Sequence, residues 1–293
     1  PNFYFVNHTE SRGGSLRLRE QAVVSGLAVN REGLSQACMG VAAGDANGDG
    51  RLDLHVTNYA GQTNSLFQQD VSGLFSDVVM QSGLAGPSYP MLGFGTQFLD
   101  GELDGHLDLV VANGHVFDLR DQGTPYQMRP QYYRNLGQAK FVEVPANDLG
   151  AFFQGAYLGR GLARIDWNRD GREDFVVSQI NSPASLVTNQ TASTGTFLAV
   201  RLVGVASSRD AIGTSLTLRA GERTWTRQLT AGDGFQASNE RKLIFGLGHP
   251  DRIDELQVRW PAGGQQTFRD LPLNGEVLLI EGQPSAFSLP RAR

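Results

Sequence analysis

The stretch Asp45-Ala46-Asn47-Gly48-Asp49-Gly50-Arg51-Leu52-Asp53 decides how the rest of the chain reads, because its spelling returns twice. Asp100-Gly101-Glu102-Leu103-Asp104-Gly105-His106-Leu107-Asp108 is the second copy, and Asp166-Trp167-Asn168-Arg169-Asp170-Gly171-Arg172-Glu173-Asp174 is the third. Oxygen-bearing side chains recur at positions 1, 3, 5 and 9, and glycine holds position 6 each time. A hard cation such as Ca2+ takes about six to eight oxygens; alternate loop residues supply them, position 7 offers its backbone carbonyl, and glycine permits the sharp turn. The pattern predicts calcium held by Asp45, Asn47, Asp49 and Asp53, by Asp100, Glu102, Asp104 and Asp108, and by Asp166, Asn168, Asp170 and Asp174. Arg51, His106 and Arg172 would give main-chain oxygen only. The alternative is an Asx-rich turn that binds nothing, since Asp, Asn and Gly favour turns on their own account. Carboxylates crowded into nine residues repel one another without a cation, which favours the metal.

An EF-hand would need a glutamate at position 12 and a helix on either side. Position 12 is Val56, Val111 and Val177, and each loop runs into an apolar stretch: 52–57, 107–112 and 174–177. That is strand grammar, so the loops read as hairpin corners of a sheet protein.

With 293 residues, 40% of them hydrophobic, the chain can build a full core and a second domain. Residues 1–190 carry 20 acids against 13 bases, and ten of those acids hold positions 1, 3, 5 and 9 of the three loops; residues 191–293 carry 10 against 12. The acidity is therefore local to the loops. No basic patch with interleaved aromatics is present, which argues against nucleic acid. Cys38 is the single cysteine, so no internal disulfide forms. No apolar run approaches the length of a membrane span and no signal-like segment is visible, so no membrane insertion is expected. A chain opening at Pro1 reads as processed or truncated. Weak modular calcium loops fill where calcium is millimolar, which places the chain extracellularly or in a periplasm or cell envelope.

The loops begin 55 and then 66 residues apart, and other pieces recur around them in order. Asn64-Ser65-Leu66-Phe67, Gly73 to Val79 and Ser82-Gly83-Leu84 follow the first; Tyr132 to Asn135, Phe141 to Val144 and Leu149-Gly150 follow the second. Before the first loop lie 2–7, a weaker strand pair over 16–24, and Ser25-Gly26-Leu27. Each unit offers about four short strands, the composition of a propeller blade. Three units do not close a ring, so further blades lie upstream or another chain completes it. Past residue 190 the Asp loops stop, and seven alternating strands between 197 and 280 predict a small β-sandwich. The expected organisation is about three blades of an incomplete propeller over 1–190, a β-sandwich over 191–284 and a tail over 285–293.

Two groups of motifs resemble known families. The Asp loops, with Gly40 to Gly44 before the first and Val56-Thr57-Asn58 after it, resemble the FG-GAP/VCBS repeats of integrin α-chain propellers. Val203-Gly204, 208–213, Gly232-Asp233-Gly234-Phe235-Gln236, Phe245-Gly246-Leu247-Gly248 and Val258 to Gly263 resemble the ASPIC/UnbV domain. Proteins of the cartilage acidic protein type carry both in this order, and Val111 to Val116 is similar to a stretch they share. The resemblance implies a secreted or envelope-facing protein, with a calcium-bearing propeller of about seven blades, used in binding or adhesion.

The leading expectation is a non-enzymatic calcium-binding module that meets a protein or glycan partner. A structural subunit whose propeller is completed by another chain is the second. An enzyme is the third, working from the long segment 113–131, where His115, Tyr126, Arg129 and Asp118 stand close in sequence. Against catalysis, the sequence shows no nucleophile elbow, His/Cys metal cluster or phosphate loop. The plainer reading of His115 is a residue that packs the turn after its strand.

Overall fold

The computed structural model describes residues 1–11, 13–192 and 194–290. The protein is all-β, with several antiparallel sheets and none closed into a barrel. Strands β1 (Phe5–Asn7) and β2 (Leu18–Glu20) form a two-stranded piece. The first blade is a four-stranded meander of β3 (Cys38–Gly44), β4 (Asp53–Asn58), β5 (Ser65–Gln69) and β6 (Phe75–Asp77). The second repeats it with β7 (Gly93–Leu99), β8 (Asp108–Asn113), β9 (Gln131–Asn135) and β10 (Phe141–Glu143). The third has three strands, β11 (Gly159–Ile165), β12 (Asp174–Gln179) and β13 (Ser182–Val187), one fewer than its sequence unit predicts. Every acidic loop joins the first two strands of a blade, the hairpin corner expected from the apolar run that follows it.

Those apolar runs explain the stacking. In β8, Leu109 and Val111 face the first blade beside Leu66, Phe98 and Phe141, while Val110 and Ala112 face the third beside Leu162, Phe175 and Val177. A strand buried on both faces needs an unbroken apolar sequence, which Leu107 to Ala112 supplies apart from Asp108 at the corner.

The weak strand pair read over 16–24 is one strand followed by a helical turn, α1 (Ala22–Ser25), closed by Gly26 at φ 83°. A Cβ on Gly26 would overlap the Phe75 carbonyl, so only glycine lets the turn lie against the next blade. The same device recurs at α2 (Val79–Ser82), where Gly83 at φ 89° abuts the Phe141 carbonyl.

The C-terminal half is a sandwich of eight strands: β14 (Thr196–Val203), β15 (Ser215–Ala220), β16 (Arg223–Gln228), β17 (Lys242–Gly248), β18 (Glu255–Arg259), β19 (Gln265–Phe268), β20 (Gly275–Ile280) and β21 (Phe287–Leu289). One sheet runs β17-β14-β20-β21 and the other β16-β15-β18-β19. All pairings are antiparallel except β14 with β20. Leu198, Val200 and Phe245 of one sheet meet Leu216, Leu218, Trp225 and Val258 of the other in a single core that also takes in Trp260. Strand β21 lies in the segment the sequence reading left as a tail and pairs with β20.

Candidate metal-binding corners

The three corners, 45–53, 100–108 and 166–174, make the same main-chain bonds. The position-1 carboxylate accepts the N–H of positions 5 and 6: Asp45 from Asp49 and Gly50, Asp100 from Asp104 and Gly105, Asp166 from Asp170 and Gly171. The position-5 carboxylate accepts the N–H of position 7, as Asp49 does from Arg51, Asp104 from His106 and Asp170 from Arg172. The position-9 carboxylate reaches across the blade: Asp53 Oδ1 accepts Gln69 N–H at 3.1 Å, Asp108 Oδ1 accepts Asn135 N–H at 2.8 Å and Asp174 Oδ1 accepts Asn189 N–H at 2.7 Å. Sequence spacing found the roles of positions 1 and 5 because they depend on chain separation alone, whereas the position-9 bonds span 16, 27 and 15 residues.

What surrounds the corners differs. In corner 1, Arg51 pairs with Asp49, and Asn47 Nδ2 donates to Asp49 Oδ2 at 2.7 Å. Burial raises the Asp45 and Asp53 carboxyls, the latter to about 7, with the neighbouring aspartate charges adding to the shift. Among the described residues, no basic side chain pairs with either. The side chains at positions 1, 3, 5 and 9 offer oxygen, the donor type a hard cation takes.

Corner 3 has its own cation. Lys242 of β17 places Nζ 2.9 Å from Asp166 Oδ2 and 3.3 Å from Glu240 Oε2, with its side chain 1% exposed. Arg169, at position 4, pairs with Glu276 of β20 at 3.0 Å, and the Phe197 ring lies where a Cβ on Gly171 would be. Burial raises Asp174 to about 6. Corner 2 is also covered: Leu103 is buried with Phe197, Ala199 and Ile244, and its carbonyl accepts the Gly248 N–H. Glu102 is drawn to Arg134 and lies beside Asp108, whose carboxyl is raised by burial and by the Glu102 charge. Burial likewise raises Asp100 to about 7, against the opposing pull of Arg227 of β16, a buried guanidinium that also acts on Asp45 and Glu173. The sandwich therefore sits over the corners and brings two buried cations, Arg227 and Lys242, to the acidic loops. Among the described residues no three Asp, Glu, His or Cys side chains converge on a metal-sized point.

The sandwich also reaches between the blades with the segment 232–240. Gly234 bridges to Val41 of β3, Phe235 packs edge-on against Phe94 of β7 with ring centres 5.0 Å apart, and Asn239 bonds Gln97 and the Arg164 N–H. Each first strand of a blade is touched by this segment. The motif at Gly232 to Gln236 does not show what this segment meets, because no local pattern records contacts across 75 or more residues.

In the segment 113–131, His115 is 2% exposed and its Nδ1 lies 2.8 Å from the Phe117 carbonyl and 3.1 Å from the Phe117 N–H. Tyr126 accepts the His115 N–H through its backbone, Arg129 pairs with Glu143 at 2.6 Å, and Asp118 pairs with Arg120. The His115, Arg129 and Asp118 side chains therefore each take a separate partner, and Tyr126 meets His115 through its backbone alone.

The glycine-rich segment between the blades belongs to a recognisable domain. Residues 204–286 match the ASPIC and UnbV family model. The match begins inside the sandwich after β14 and includes Arg227, the segment 232–240 and Lys242, while Phe197 and Ala199 of β14, which also meet the corners, precede it. The sequence has no significant match among curated proteins.

Proposed function

We propose that this chain is a non-enzymatic binding module of the extracellular space or cell envelope, stabilised by calcium at corner 1 and carrying a protein or glycan partner on its blades. The observation that carries the reading is corner 1: Asp45, Asn47, Asp49 and Asp53, of which Asp45 and Asp53 are buried with raised carboxyls, and no resident lysine, in contrast to corner 3. Asp45, Asn47, Asp49, Asp53 and the Arg51 carbonyl would hold the ion, which would supply the charge compensation that Lys242 gives Asp166. His115 lodged in its own turn supports a binding role over catalysis.

Calorimetric titration of Ca2+ into EDTA-stripped protein, with melting curves, tests this. Binding that Asp53→Asn abolishes and Asp174→Asn leaves is expected, with about 2.7 kcal/mol of stabilisation at a hundredfold excess over Kd. No binding at millimolar calcium overturns the calcium reading. A second reading, a subunit of a larger assembly, is favoured by the exposed Phe3, Phe5, Leu16, Leu18, Val23 and Val24 around β1, β2 and α1. Sedimentation as a monomer at micromolar concentration would count against it.

A further inference from the structure

The first two blades end in a fourth strand that the third, among the described residues, does not have. In the first blade, β6 pairs with β5 so that Phe75 stands opposite Gln69 and Asp77 opposite Phe67. In the second, β10 pairs with β9 so that Phe141 stands opposite Asn135 and Glu143 opposite Tyr133. Both fourth strands read Phe, any residue, then an acid. Each phenylalanine packs against the helical turn of the preceding unit: Phe75 with Ala22 and Leu27, Phe141 with Val79 and Leu84.

The third blade prepares for such a strand. Asn189 N–H is held by Asp174 Oδ1, as Gln69 and Asn135 are held in the other blades, and Asn189 Oδ1 accepts the Thr191 N–H as Asn135 Oδ1 accepts that of Gly137. The chain then turns away, with Gly195 N–H bonding the Glu102 carbonyl, and enters β14 of the sandwich. A cleft of ≈ 810 Å³ remains between the second and third blades. Leu149, Phe152 and Phe153 from the helical turn of the second unit line it, opposite Val187, Thr188 and Asn189 at the end of β13.

The repeat fixes the register. Leu186 lies opposite Val176 as Leu66 lies opposite His55 and Tyr132 opposite Val110. The Leu66 carbonyl accepts the Val78 N–H and the Tyr132 carbonyl accepts the Val144 N–H, both from the fourth-strand side. The Leu66 N–H points the same way and donates to Asp77 Oδ1. Leu186, which is 49% exposed, therefore turns its N–H and C=O outward, because both groups of one residue in an antiparallel ladder face the same side.

We propose that the third blade takes its fourth strand from a partner polypeptide: an extended Phe-x-Asp segment that adds antiparallel to β13, with its phenylalanine opposite Asn189 and its aspartate accepting the Leu186 N–H. Main-chain bonds to an open edge give such docking its affinity, and the pocket for the aromatic gives it specificity. This deepens the binding-module reading by naming a protein strand as the occupant of this cleft; it requires nothing of calcium.

The probe is a fluorescein-labelled peptide Gly-Leu-Phe-Ser-Asp-Val-Val-Met, copied from 73–80, titrated with the full chain by anisotropy in calcium and in EDTA. Saturable binding is expected, weakened at least tenfold by Phe→Ala in the peptide and equally by Leu186→Pro in the protein. The proline removes only an outward N–H. If Leu186→Pro melts early, Thr188→Pro, which removes the next outward N–H two residues along the same edge, replaces it with the same expected loss. Absence of binding at millimolar peptide, or binding that survives the peptide substitution or the folded protein variant, overturns the proposal. Peptide binding without calcium binding would remove the calcium reading alone, and calcium binding without peptide binding would remove this proposal alone.

Discussion

Corners 1 and 3 share a spelling and the same main-chain hydrogen bonds, yet one faces outward as an all-oxygen loop and the other is closed over a buried lysine. The difference comes from the sandwich. Its strand β17 delivers Lys242 to Asp166, and β14 delivers Phe197 against Gly171, whereas the nearest group to where a Cβ on Gly50 would stand is the Thr226 hydroxyl, at 3.6 Å. A loop sequence thus specifies the turn and its acceptors; whether the compensating charge is an ion or an ammonium depends on what docks there. Coulomb repulsion among the carboxylates demands a cation without choosing its kind.

The largest test of this contrast is Lys242→Ala. Removing one partner of a buried pair leaves Asp166 uncompensated, so a loss of about 3–5 kcal/mol is expected by urea unfolding in EDTA. A loss below about 1 kcal/mol would mean that corner 3 does not depend on its lysine. Next comes Leu103→Ala at corner 2, which empties a buried site between blade and sandwich and should cost about 2–5 kcal/mol. An unchanged unfolding midpoint would show that the two halves do not share that contact.

Position 6 gives a matched pair. Gly171→Ala and Gly50→Ala both force a side chain into a positive φ, 86° and 85°, at about 1–2 kcal/mol each. Only Gly171→Ala also collides with Phe197, adding about 1–3 kcal/mol. Equal melting temperatures for the two variants would erase the difference between the corners. The smallest effect is a control: Arg51→Gln and Arg172→Gln remove like pairs, Arg51–Asp49 and Arg172–Asp170, and each should cost about 0.2–1 kcal/mol. A large cost at one of them would place the asymmetry in the loops themselves.

Much of the fold was legible because its signals are local. The Asp spelling marked the hairpin corners, and the runs after Leu52, Leu107 and Asp174 marked second strands. The helical turn at Ala22–Ser25 was missed because four residues carry no helical period, and β21 because three exposed residues carry no strand period. Of the candidate site, the acceptors were readable and their surroundings were not: nothing near Arg227 or Lys242 in sequence shows that either would be buried against a loop far back in the chain. His115 is tied into its own turn through Phe117.

The sequence alone determined three acidic corners on sheet hairpins, an all-β chain of two kinds, and the residues whose oxygens line each turn, because these follow from spacing and side-chain chemistry within a few residues. Tertiary structure alone decided that the sandwich closes two corners and leaves one open, that 232–240 runs between the blades, and that the third blade stops one strand short beside a lined cleft. Those outcomes depend on which surfaces meet when distant segments pack, and burial, charge compensation and an open strand edge are properties of that meeting.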